Sequence, residues 1–223
     1  MFASAAPSCR LPRWLCTAYT AWFAAWSIAY YRYFGWQFLL WFCCLANVYV
    51  FAGCITQRRL WFSLAALAAT AIQLVYCLDF ALLGVLGRSL TGATAYMLDP
   101  ARPLSMRMLS TFHLWMPALV LYAIHRLGYD PRALWIQTLV AVCVLPVCYV
   151  LFDPSVHTND TVMPRIQGLP FDRDFNINWV HAFYDRPEPG QGVHRLLHVL
   201  IGYPLLVHWP THLVLSARAR RNA

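Results

Sequence analysis

The sequence predicts an all-α membrane protein, a single six-helix transmembrane bundle with two long outer loops. Three observations predict it. Of the 223 residues 60% are hydrophobic, above the share of about 45–50% in soluble domains. Only 12% are charged, roughly half the usual fraction. The apolar stretches run near the ~20 residues an α-helix needs to cross a hydrocarbon core of about 30 Å. A soluble globule and a disordered chain are excluded, because neither keeps so much apolar area out of water. An outer-membrane barrel is excluded too, since its strands alternate in segments of about ten residues.

The first span is read over residues 14–34 and the second over 36–55, with Gly35 as the join. The third, 60–87, has 28 residues; at 1.5 Å each it is about 42 Å long, so it must tilt or project. The fourth, 111–127, is short and contains Pro117. The fifth, 134–152, contains Pro146, and the sixth, 194–216, carries Pro204 and Pro210. A kink is predicted in that last span, because proline removes a donor and crowds the preceding turn. The outer loops are then 88–110 and 153–193. No internal repeat or low-complexity tract interrupts the pattern.

The net charge of +8 comes from 17 Arg with no Lys. With a cytoplasmic N-terminus, Arg10, Arg13, Arg58, Arg59, Arg126, Arg132, Arg218, Arg220 and Arg221 lie inside, in short loops and tails. The positive-inside rule acts best on such segments, so both termini are expected in the cytoplasm. The basic tail reads as an anchor to anionic lipid. Membrane lipids are therefore the expected partners and nucleic acid is not; a homo-oligomer is left open. The N-terminus has the wrong order for a cleavable leader, since Ala-rich residues 1–7 precede the basic ones. Cys43, Cys44, Cys54, Cys77, Cys143 and Cys148 fall within spans, Cys9 and Cys16 near the inner face, and none in the outer loops. Free thiols are expected, because disulfides belong to the oxidising side.

Polar residues inside apolar spans are the informative ones. Asn47, Thr70, Gln73, Gln137 and Thr138 are such residues, and Ser63, Thr70, Gln73 and Cys77 share one helical stripe. Interhelical hydrogen bonding is the plain reading of these positions. Asp79 lies on the far side of that wheel. Either it reaches the outer interface or it is a buried carboxylate serving as proton acceptor or ligand partner.

Histidine offers two further readings. His194, His198, His208 and His212 share one face of an unbroken last helix, and His113 and His125 lie at opposite ends of the fourth span. Pairing His113 with His198 and His125 with His212 would place two bis-histidine haem b sites across the bilayer, as in a b-type cytochrome. Against this, His113 and His125 point about 120° apart; interfacial histidines also turn toward headgroups without any ligand. Otherwise no metal or cofactor is expected.

A second chemistry needs a nucleophile and a base. Ser110, Thr111 and His113 cluster at the mouth of the fourth span, and Cys43, Cys44 and Asn47 lie on the second. A Cys or Ser activated by His113, with Asp79 orienting the imidazole, is an acyl-transfer site near the membrane surface. The signatures of soluble hydrolases, metallopeptidases and phosphate loops are missing. The candidate catalytic residues are thus His113, Asp79 and Ser110. The candidate substrate-binding residues are Asn47, Gln73, Tyr96, Arg107, Gln137, Asn176 and Asn178. The loop 153–193 is either a lid over this site or a solvated spacer. Its segment 175–180 alternates apolar and polar residues, as a short strand does or an interfacial turn with Trp179 at headgroup level.

The stretches LTGATAYMLDP, LSTFHLWMP, HRLGYDPRALWIQT and NINWV resemble those of bacterial six-span proteins described only as membrane-associated. The resemblance spans about residues 90–180 and implies a polytopic protein of a bacterial inner membrane. It puts Tyr96, Arg107, Ser110, His113, Asp130, Gln137, Asn176 and Asn178 on motif positions, and carries no activity with it. His125, His194, His198 and His208 lie outside these motifs. A fainter likeness, in span count and polar placement, is to androgen-induced-protein-type intramembrane hydrolases. Those use a Thr and a His, and the second span here has no Thr. The leading expectation is a membrane protein of unassigned activity with a polar lipid or small-molecule site near the outer face. An intramembrane hydrolase or acyltransferase on lipid esters, and a b-type cytochrome, are the alternatives.

Overall fold

A computed structural model describes residues 10–100, 102–151, 178, 180 and 192–221. Among the described residues all regular structure is helical. In chain order the helices are α1 (Arg13–Phe34), α2 (Phe42–Thr56), α3 (Arg59–Leu86), α4 (Leu104–Leu127), α5 (Ala133–Leu151) and α6 (Val193–Arg220). Helices α3 to α6 are each long and apolar enough to cross a membrane. Helix α3 is the hub, packing against α2, α4, α5 and α6.

Helix α1 buries Tyr19, Trp26, Tyr30 and Phe34 along one stripe, the spacing expected of a helix with one packed face. It stops at Gly35, whose φ of 67° is a backbone state that residues with a Cβ avoid. The predicted second span is then broken. Residues Trp36–Leu40 form a 3₁₀ turn, Trp41 is extended with ψ 129°, and only at Phe42 does α2 begin. The start of a 15-residue helix consequently lies inside the bundle. Gly53 of α2 lets α3 approach closely, for a Cβ there would sit 2.6 Å from the Phe62 ring.

Helix α3 widens to a π turn over Ala66–Thr70. It ends at Gly87, in the left-handed region with φ 65°. The loop predicted over 88–110 is shorter than expected, because Pro103 introduces helix at Leu104 and only Thr111 interrupts α4. Before α5, the Arg132 guanidinium grips Asp130 in two hydrogen bonds of 3.0 and 2.8 Å, with Arg59 3.8 Å away. The hydrogen bonds from Arg132, aided by the nearby positive charges, hold the Asp130 carboxyl below the usual carboxylate range. The fifth predicted span agrees with α5 to one residue at each end.

Helix α6 departs from the regular wheel. Pro204 has no N–H, and a π turn runs over Tyr203–His208, closed by Trp209 N–H donating to the Pro204 carbonyl. One extra residue in a turn rotates everything after it by about 100°. The four histidines therefore do not share a face: His194 and His198 are exposed, His208 is buried and His212 is half-buried. Of the predicted loop 153–193, Asn178 and Val180 are described, so the readings of segment 175–180 and of Asn176 lie outside the described residues.

Candidate functional site

A cavity of about 340 Å³ opens among the helices where α2 starts. Its polar wall is formed by Cys43, Gln73, Tyr76, Tyr96, Ser110 and His113, and its apolar wall includes Phe34, Trp41, Ala68, Ala69, Ile72 and Met106. The two walls come from different causes. Ala68 and Ala69 belong to the π turn, whose wide spiral turns small residues inward. Cys43 is brought in by the break at Trp41, which makes it the second residue of α2.

His113 is fixed from several directions. Its Nδ1 lies 2.8 Å from the Ser110 carbonyl; a carbonyl only accepts, so Nδ1 carries the proton and donates. A neutral ring then has a free lone pair on Nε2. The ring stacks on Tyr76 at 4.7 Å between centroids and 24° between planes. Cys43 lines the same cavity wall as this imidazole, and its sulfur lies 4.0 Å from the Cys44 sulfur. With Nδ1 engaged by Ser110, the nitrogen left to accept a hydrogen bond is Nε2.

The start of α2 supplies a second element. The first four N–H groups of a helix lack intrahelical acceptors. Asn178 Oδ1 accepts from Phe42 N–H at 3.1 Å, and the Phe38 carbonyl takes Trp41 N–H at 3.3 Å. Among the described residues no backbone carbonyl takes the N–H of Cys43 or Cys44, which lie at the positive end of the helix dipole. Gln73 adds a side-chain amide that is 1% exposed and has no hydrogen-bond partner among the described residues. An unpaired buried amide costs stability, and in a cavity wall it is a group waiting for a ligand atom.

Four hydroxyls belong to the lining. Tyr30 Oη and Ser110 Oγ are 2.9 Å apart, as are Tyr76 Oη and Tyr96 Oη. Burial raises the Tyr96 phenol above its ordinary range, which keeps it a neutral donor.

Of the sequence-predicted residues, the structure brings His113, Ser110, Gln73, Tyr96 and Asn178 to the cavity. Ser110 acts through its carbonyl on the imidazole, while its hydroxyl is bound to tyrosine. Asp79 does not orient His113. Its carboxylate is 1% exposed and accepts from Ser89 Oγ, Leu90 N, Thr91 N and Thr94 Oγ1, pinning the loop after α3. Asn47 lies behind the site: its Nδ2 donates to the Cys43 carbonyl at 3.2 Å and its Oδ1 accepts from Tyr19. Arg107 donates to the Met97 carbonyl, and Gln137 is buried away from the cavity. Of the histidines in the haem reading, His198 and His125 are exposed, His113 lines the cavity and His212 Nδ1 lies 2.9 Å from the Tyr129 hydroxyl. Tyr30 and Tyr76 escape sequence reasoning, although a hydroxyl within an apolar run was the available signal.

Compared with known proteins, the chain matches no protein-family model, no curated protein and no solved structure.

Proposed function

We propose that the cavity is the site of thiol-dependent acyl transfer, acting as hydrolase or acyltransferase on lipid esters. The observation that carries this reading is one cavity wall that holds the Cys43 thiol together with a His113 ring whose Nδ1 is fixed by the Ser110 carbonyl. A nucleophile, a base and a group orienting the base are what covalent acyl chemistry requires. In the first step His113 Nε2 takes the thiol proton as sulfur attacks the ester carbonyl carbon. A C–S bond forms, and the carbonyl electron pair moves onto oxygen near the N–H groups at the start of α2. Collapse breaks the C–O bond, and His113 returns the proton to the departing alcohol. Water or a second alcohol then attacks the thioester, giving its proton to His113, and the thiol is regenerated on collapse.

The setting in this proposal is a six-span bundle of a bacterial inner membrane, both termini cytoplasmic and the cavity toward the outer face. The inner excess of Arg in short segments and the resemblance over residues 90–180 support it. Non-covalent retention of a lipid is a second reading, favoured by the unpartnered Gln73 amide.

The test is acylation of the detergent-purified protein by p-nitrophenyl esters, followed by intact mass and peptide mapping. One acyl group on Cys43 is expected, lost in Cys43→Ala, retained in Cys44→Ala, and about 10²–10⁴-fold slower in His113→Ala. Unchanged adduct formation in Cys43→Ala overturns the proposal. Lipid co-purifying with wild type and lost from Gln73→Leu, with no adduct at all, leaves the binding reading in its place.

A further inference from the structure

The cavity also says which part of an ester enters it. Among the residues lining it there is no Arg, Asp or Glu. Its polar groups belong to Cys43, Gln73, Ser110, His113, Asn178 and the tyrosine hydroxyls, whereas the π turn contributes the methyl groups of Ala68 and Ala69, 0% and 2% exposed. A phosphate or carboxylate drawn into such a place would leave water without a countercharge, which is prohibitive. A hydrocarbon chain gains by the same transfer. From this we infer that the cavity takes the acyl chain of the ester, that the headgroup stays outside, and that Ala68 and Ala69 set the longest chain accepted.

The inference rests on the acyl-transfer reading and adds a length. A methylene takes close to the ~30 Å³ that a water occupies in liquid. A cavity of 340 Å³ therefore holds a chain of about ten carbons. Within that limit each added methylene is buried and raises kcat/KM by about fourfold. Beyond it the chain has no further wall to fill. Leucine in place of alanine adds three carbons at the cavity wall, so the limit moves down by about three methylenes.

The experiment measures kcat/KM for thioester formation on Cys43 with p-nitrophenyl esters from two to sixteen carbons, in wild type, Ala69→Leu and Ala68→Leu. The expected wild-type profile climbs to about ten carbons and then falls, and both variants break about three carbons earlier. Should a leucine variant fail to fold, Ala69→Val is expected to shift the break by about two. A second arm compares phosphatidylcholine, phosphatidylglycerol and diacylglycerol of equal chain length as acyl donors; rates within about threefold are expected. A profile that does not break by sixteen carbons, a break unmoved in folded variants, or a strong preference among headgroups overturns the inference while leaving acylation standing. Absence of acylation by every ester, acetyl included, overturns the acyl-transfer reading itself.

Discussion

Asp79 separates two accounts of the site, because the sequence pointed to it as a partner of His113 and the structure gives it to a loop. Replacing it with Ala removes the acceptor of four hydrogen bonds. Leu90 is exposed and its N–H can turn to water, but Thr94 is 0% exposed and the Thr91 N–H is partly enclosed. Each unpaired buried donor costs about 1–3 kcal/mol, so the two together cost about 2–6 kcal/mol. For a protein of this size that is a fall in Tm centred near 10 °C, at about 2–4 °C per kcal/mol. Asp79→Asn is a different perturbation. Its amide oxygen still accepts both N–H groups, and its NH₂ donates to the two hydroxyls, which reverse direction without moving. The loss is then about 1 kcal/mol of charge assistance, and the Tm falls by less than about 4 °C. The assay is fluorescence-detected unfolding of the purified protein in detergent, run beside the rate of thioester formation on Cys43. Two results refute the reasoning. Asp79→Asn as unstable as Asp79→Ala would mean that the charge itself carries the loop. Asp79→Asn with an unchanged Tm but acylation slowed more than 100-fold would return the carboxylate to the imidazole.

Two further predictions test the frame around the site. Asp130 has a folded-state pKa below its ordinary value, chiefly through hydrogen bonds from Arg132. Its contribution is thus present above the unfolded value of about 3.9 and is lost as pH falls through the folded one. Wild-type Tm should decline below about pH 4 more steeply than that of Asp130→Asn, the two curves drawing together at the acid end; parallel curves would show the ion pair to be inert. Gly53→Ala puts a Cβ 2.6 Å from the Phe62 ring, and overpacking of this kind costs about 1–3 kcal/mol. Because Ala otherwise favours a helix over Gly by about 1 kcal/mol, a Gly53→Ala protein with raised Tm would contradict the close approach of α2 and α3.

What the sequence disclosed and what it hid follow one physical division. Helices α1 and α5 were legible almost to the residue, since long helix-forming runs bounded by Gly35, or by the Gly128–Arg132 turn, admit little else. The two π turns were not. An i→i−5 bond in a run such as Ala65–Thr70 changes no residue's hydropathy, so a 100° wheel carried past it misplaces whatever follows. The histidines of α6 show the consequence, as a face that existed on the regular wheel is split by Tyr203–His208. Asp79 failed for another reason. It sits away from the Gln73 stripe, as predicted, but the loop 89–94 folds back over it and buries it from outside the bundle. His113 and Ser110 were legible because a titratable ring and a hydroxyl stand three residues apart at a helix mouth. That the serine contributes its carbonyl depends on backbone geometry and could not be read from side-chain identity.

The break between Gly35 and Phe42 is the feature on which the site depends most. Had residues 36–55 formed the continuous span their hydropathy suggests, the N–H groups of Cys43 and Cys44 would have bonded the carbonyls of Leu39 and Leu40. The cysteines would then have been ordinary mid-helix thiols with no donors beside them. The chain instead uses a helix of 15 residues, about 22 Å long and too short for a core of about 30 Å. The broken end needs a cap, and Trp41 provides none from its side chain. Asn178, from beyond the fifth helix, provides it instead. It accepts from Phe42 N–H, donates to the Leu40 carbonyl at 2.7 Å, and holds a φ of 54° to do both. Asparagine tolerates that left-handed backbone better than most residues with a Cβ. The residue predicted to bind substrate thus reaches the cavity as the clamp across the break, and through that clamp Asn178 is tied to Phe42, the residue before Cys43.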